Sequence, residues 1–196
     1  INSLMSRRLG EKRVEDARDA AKNGFFLLLL GYLLFLIFGL FFDGLFFRMS
    51  TKDETLRALG ETYTGIVTIF SFGLFFSIGF ERLVQATGNT MLSMIMQLVG
   101  AITNIILDPI MIFGYLGCPE MGVAGAAWAT VIGQCVSWLL ALLFHKKVNK
   151  EIASGLRYWK PSGAILKEIY AIGLPAILAQ ALMSLMTYGL NLILVT

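Results

Sequence analysis

The sequence predicts an all-α fold, a polytopic helical membrane protein with five transmembrane helices. Hydrophobic residues make up 57% of the 196-residue chain and its mean hydropathy is +0.73, against ~45–50% apolar content in soluble domains. These residues fall in long blocks, close to the ~20 residues that a helix needs to cross a ~30 Å hydrocarbon core. Short charged segments separate the blocks, as expected when every backbone polar group inside lipid must be satisfied within its own helix.

Residues 1–23 are charged and rich in helix formers, with Arg7, Arg8, Lys12, Arg13, Arg18 and Lys22. They read as a helical segment lying on the cytoplasmic membrane face. The first span is expected at 25–42 and presents little besides Leu, Ile and Phe. A mixed-charge loop is expected over 43–62, then a second span at 63–80 with Thr64, Thr68 and Ser71 on one side. Hydroxyls so placed bond their own backbone or a neighbouring helix more often than a ligand. Glu81 and Arg82 close that span, and Gly88 and Asn89 turn the chain into a short hairpin.

The third span, 91–113, is the most informative. Gln97, Gly100, Ala101, Asn104 and Asp108 share one face, and Pro109 follows directly. A carboxylate within a spanning helix costs ~2.5–3.5 kcal/mol on insertion scales, so Asp108 should face protein or water. Pro109 has no amide hydrogen and frees the carbonyl of Ile105 one turn below, kinking the helix. The fourth span, 122–144, carries Gly125, Ala129, Gly133 and Ser137 four apart, a stripe suited to close helix packing. Thr130 and Gln134 run beside it. After a basic connector, the fifth span begins near residue 169 with a second kinking proline, Pro175. Its Gln180, Ser184, Thr187 and Asn191 recur at i, i+4, i+7 and i+11. That polar face either packs on helices or lines a watery cavity, and the residues leave both open.

Charge fixes orientation. Lys and Arg number six before the first span, one in the 81–90 hairpin and six over 145–168, against three and none on the other side. The positive-inside rule places residues 1–23, 81–90 and 145–168 in the cytoplasm. A net charge of +3 in this distribution speaks to membrane orientation and not to nucleic acid. Cys118 in a loop and Cys135 within a span have no metal or redox spacing, and their different depths argue against a disulfide. His145 reads as an interface residue in a basic loop. With Ile1 at the start and no signal peptide, the chain reads as an internal segment of a longer protein.

A carboxylate (Asp108), an amide oxygen (Asn104), a freed carbonyl and a hydroxyl (Thr130) are hard ligands that suit a proton, or Na⁺ in its place. On residues alone, ion coupling stands beside a plain packing role for Asp108. An intramembrane enzyme would need a nucleophile and base or a metal cluster within the spans, and Asp108 is the one clear acid there.

The stretches GFERLVQATGNTMLSMIMQLVGAITNIILDPIMIFG and MGVAGAAWATVIGQ resemble the multidrug and toxic compound extrusion (MATE) transporters. So do NSLMSRRLGEKR near the start and AIGLPAILAQALMSLMTYGLNLILV near the end. The most specific parts are the pattern of Asn104, Asp108 and Pro109, and the small-residue run ending at Thr130. The resemblance implies five helices of a twelve-helix, two-lobe transporter. Residues 1–144 would be part of the first lobe, 145–164 the cytoplasmic connector, and 165–196 the start of the second lobe. It implies a multi-pass plasma-membrane exporter and not an enzyme, monomeric when full length. Organic, often cationic or lipophilic compounds would leave in exchange for H⁺ or Na⁺, with no cofactor beyond that ion. In some members the first-lobe ion site uses residues matching Asn104, Asp108 and Thr130, which would be the metal ligands if Na⁺ is the coupling ion. Gln97, Gln134, Gln180, Ser184, Thr187 and Asn191 are the cavity-lining candidates. The alternatives are a lipid-linked oligosaccharide flippase of the same wider superfamily, which needs a large basic cavity, and a non-transporting packing subunit.

Overall fold

The computed structural model describes residues 1–50, 53–148 and 161–195, and among them the regular structure is entirely helical. Helix α1 (Asn2–Gly10) turns at Lys12, whose φ of 60° is left-handed, into α2 (Val14–Ser50). α1 does more than lie on a surface. Leu4 and Met5 are fully buried in a cluster with Ala20, Ala21, Leu83 and Val84, so α1 is docked on the helices beneath it.

α2 has 37 residues, or ~55 Å at 1.5 Å per residue, far more than the hydrocarbon core. Its first turns stand outside lipid, where Glu15–Arg18 and Asp19–Lys22 pair along the helix. At the far end α2 runs through Asp43 to Ser50, and α3 (Glu54–Ile69) begins almost at once. The loop expected over 43–62 is therefore mostly helix. Charged residues lower hydropathy without breaking a helix, and the segment holds no proline. What starts α3 is Asp53, whose Oδ1 accepts from the amides of Thr55 at 2.8 Å and Leu56 at 3.3 Å.

The second span, expected as one helix over 63–80, is a broken pair. α3 and α4 (Phe72–Ala86) meet at a 48° bend. Buried Ser71 sits at the corner, and its Oγ donates to the Thr68 carbonyl at 2.8 Å, satisfying an acceptor that the bend removes from the helical ladder. α4 then runs on to Ala86, so Glu81 and Arg82 lie within a helix and not at a span end.

α5 (Thr90–Phe113) keeps Pro109 inside it and stops at Gly114, whose φ of 73° forms a left-handed cap. A Cβ there would meet the Cys118 carbonyl and the Glu120 amide, each at 3.0 Å. A 3₁₀ turn (Tyr115–Gly117) leads back, and the amides of Met121 and Gly122 bond the carbonyls of Met111 and Ile112. α6 (Val123–Val148) extends past residue 144. His145 is accordingly 2% exposed, packed against the Phe80 ring; it is not a loop residue. α7 (Gly163–Val195) starts six residues before the expected boundary, with Pro175 inside it. Of the 145–164 connector, residues 149–160 lie outside the described residues. Cys118 and Cys135 are both free thiols.

Contacts gather the three segments assigned to the cytoplasm at one end of the bundle. Ser6 Oγ donates to the Ala86 carbonyl, Arg8 pairs with Glu168 at 2.5 Å, and the Ser162 amide donates to Asn23 Oδ1 at 2.8 Å. The buried core lies at this end. The Leu, Ile, Phe and Met side chains that remain exposed along α2, α5 and α7 are the lipid-compatible surface of spanning helices.

Candidate functional site

α5 and α6 form the most extensive helix pair, and glycine makes it possible. A Cβ on Gly133 would sit 2.9 Å from the Gly100 carbonyl oxygen, and one on Gly125 would press into the Met111 backbone, 2.6 Å from its carbonyl carbon. Gly125, Ala129 and Gly133 are buried, so the stripe seen in the sequence is the face that meets α5. This approach brings the polar face of α5 against Thr130.

Asn104 lies between Asp108 and Thr130. With its amide oriented to satisfy both ends, Nδ2 donates to Asp108 Oδ2 at 3.3 Å and Oδ1 accepts from the Thr130 amide at 3.1 Å. The opposite orientation leaves only long contacts, 3.5 Å to Asp108 Oδ1 and 3.4 Å to Thr130 Oγ1. Thr130 Oγ1 donates to the Ala126 carbonyl at 2.9 Å and keeps its lone pairs for a donor or cation. All three residues are half-buried. Asn104 thus links the Asp108 carboxylate on its own helix to Thr130 on α6, and Pro109 leaves the Ile105 carbonyl without its helical donor.

The site opens on a groove of about 380 Å³ between α4, α5 and α6. Asn104, Thr130, Gln97 and Gln134 all line it. Gln134 Oε1 is buried with no hydrogen-bond donor among the described residues. The other cavity candidates are elsewhere. Gln180, Ser184 and Thr187 are exposed on α7, which packs on α2 and α1, and the Asn191 side chain lies outside the described residues. The described groups of His, Cys, Asp and Glu include no cluster of three that would hold a metal ion.

The groove contains one residue that the sequence reading passed over. Glu81 is 7% exposed, and its Oε1 accepts from Gln97 Nε2 at 2.6 Å and Gln85 Nε2 at 2.9 Å. A signal for it existed. Ser77, Glu81 and Gln85 are four apart, a polar stripe on an otherwise apolar helix.

With this geometry in hand, the relationship to known proteins is direct. The MatE family model matches residues 1–110. Multidrug export protein MepA of Staphylococcus aureus is 32% identical over 194 residues, 98% of this chain. The chain belongs to the MATE family. It spans about two fifths of the relatives that it matches, 42% of that MepA. Among solved structures, an inward-facing multidrug resistance MATE transporter of the MOP superfamily superimposes with a TM-score of 0.81 at 29% identity, covering 94% of this chain and 41% of that one. The outward-facing form gives 0.80 at 28% identity, covering 95% and 41%. This MATE chain therefore fits two opposite conformations of such a transporter about equally. Four or five apolar helices among the described residues are long enough to span, and with the MATE relatives they make it a multi-pass plasma-membrane protein.

Proposed function

We propose that this chain supplies part of the first lobe and the start of the second lobe of a secondary active exporter. In this reading H⁺ or Na⁺ moves inward in exchange for organic, cationic or lipophilic compounds moving outward, and Asn104, Asp108 and Thr130 hold the coupling ion. The observation that carries it is Asn104, which bonds Asp108 on its own helix and Thr130 across the α5–α6 contact, with Asn104 and Thr130 lining a groove between α4, α5 and α6. The export activity carried in the MepA name agrees with it.

The physical logic is differential binding. A cation on Asp108 neutralises a charge that otherwise needs water or a partner, and this favours whichever lobe arrangement closes around the site. Drug binding favours the other arrangement. Each ligand shifts the equilibrium only by its preference for one state. An oligosaccharide flippase would need a basic cavity for its anionic linkage. Among the described residues the groove is lined by one basic side chain, Arg82, together with Glu81, which counts against that alternative.

The test is Asp108→Asn in the full-length protein, reconstituted in proteoliposomes under an imposed H⁺ or Na⁺ gradient. Gradient-driven ethidium transport should fall to the protein-free level while the protein still inserts and purifies as a folded species. Undiminished coupled transport would end the assignment. Thr130→Ala separates the ions, because loss of a hydroxyl ligand should weaken Na⁺ dependence more than H⁺ dependence.

A further inference from the structure

We propose that Glu81 is a second cation-handling carboxylate of this transporter, a release station at the cytoplasmic end of the groove that begins at Asn104 and Thr130. The proposal rests on the ion-coupled reading above and extends it to a residue 27 positions earlier in the chain than Asp108.

Three observations carry it. Glu81 is buried on α4, and among the described residues both hydrogen bonds to it come from neutral amides, Gln97 and Gln85, and none from a cation. A carboxylate so placed bears its charge at a cost unless a proton or cation accompanies it. Second, Glu81 and the Asn104–Thr130 pair line one groove. Gln97, its hydrogen-bond partner, stands seven residues from Asn104 on α5, a rise of ~10 Å. Third, polar side chains interrupt the apolar wall between them. Ser77 Oγ donates to Ser137 Oγ at 3.0 Å, and Gln134 Oε1 is buried there without a donor among the described residues.

Among the described residues, several charged groups on the surrounding elements have other partners. Arg82 bonds Gln85 Oε1 at 2.8 Å, and the Ile1 amino group is placed to repel Arg82. On α1, Arg7 pairs with Glu11, and Arg8 with Glu168 and the Asp16 carbonyl. On α2, Lys22 pairs with Asp19; on α6, His145 packs on Phe80; on α5 the titratable group is Asp108 itself. Glu81 is thus the carboxylate of the groove placed between the ion site and the cytoplasm. A proton or Na⁺ leaving Asp108 makes that carboxylate anionic and neutralises Glu81. Its departure to cytoplasmic water restores the charge on Glu81, so charge balances at each step.

The experiment uses the full-length protein in inside-out vesicles, where the outer medium bathes the cytoplasmic face, with ethidium as the transported probe. Glu81→Gln should slow gradient-driven transport by about tenfold or more and abolish its dependence on outer-medium pH or Na⁺. Dependence on the lumenal medium and gradient-free ethidium exchange should persist, and Glu81→Asp should restore the outer dependence. Wild-type rates with unchanged outer dependence overturn the proposal, and so does parallel loss of ethidium exchange, which marks a packing role. If Glu81→Gln does not fold, Gln97→Leu decides, since it keeps the carboxylate and removes its shortest hydrogen bond. A moved outer-side midpoint supports the proposal and an unmoved one overturns it. Asp108→Asn measured alongside keeps the two ideas apart. Loss of coupling there with a silent Glu81→Gln retains the Asp108 site and removes Glu81, and the converse removes Asp108 and retains Glu81.

Discussion

Helices α6 and α7 both carry a regular non-lipid stripe, and the structure treats the two differently. The α6 stripe is small, Gly125, Ala129, Gly133 and Ser137, and it is pressed onto α5. The α7 stripe is made of longer polar side chains, and Gln180, Ser184 and Thr187 are exposed, with open space around Gly173 and Gly189. Small residues four apart let two backbones touch and so specify a partner. Polar side chains hydrogen-bond across helices or face water, and those on α7 have no helix against them among the described residues.

The largest test of that contrast is Gly125→Val. Its side chain would be driven into the Met111 backbone, which cannot give way as a flexible side chain can. Overpacking of this kind costs ~1–3 kcal/mol or more. It should appear as a sharp loss of folded full-length protein in detergent, whereas Gly173→Val in α7 should leave the yield unchanged. A well-folded Gly125→Val protein would break the comparison at its strongest point.

A smaller effect is expected from Ser137→Ala. Ser137 accepts from Ser77 and donates to the Met96 carbonyl at 3.1 Å, joining α4, α5 and α6. Interhelical hydrogen bonds in membranes contribute ~0.6 kcal/mol on average, so the thermal midpoint should fall measurably but modestly. On α7, Gly173→Ala and Gly189→Ala should each stabilise by ~0.5–1 kcal/mol through helix propensity. A loss of stability there would show that another helix covers this face in the full-length protein.

The smallest effect lies outside the membrane. Arg7 and Arg13 hydrogen-bond Glu11 and hold its carboxyl below the usual carboxylate range. A depressed folded-state value stabilises above the unfolded pKa, and that contribution disappears as pH falls through the folded one. Because Glu11 is fully exposed, solvent screens the pairs. Glu11→Gln should leave the thermal midpoint unmoved at neutral pH, with any difference from the wild type vanishing in acid.

How much of this was legible in the sequence differs by feature. The spans were, because hydropathy reports which residues tolerate lipid. Helix ends were not, because hydropathy is silent on hydrogen bonding. α2 runs through Asp43, and α6 carries His145 into a buried position, since a charged or polar residue does not end a helix. The Asp53 cap falls inside the segment expected as a loop, and the bend at Ser71 depends on tertiary packing that no local pattern encodes. Asn104, Asp108 and Thr130 were legible because an acid in an apolar span is conspicuous. Glu81 was not, because its charge resembled the edge of a span and its burial comes from α5.

The pair of links at the bundle's basic end, Arg8 to Glu168 and Asn23 to Ser162, has a mechanical consequence. They fasten the first turns of α7 to α1 and α2, so the root of the proposed second lobe travels with the first. Any rocking of one lobe against the other must then be absorbed further along α7. Pro175 stands 12 residues beyond Gly163, ~18 Å up the helix, where a missing backbone bond makes the rod easiest to flex. A bend in α7 would lie inside the helix, above an anchored base.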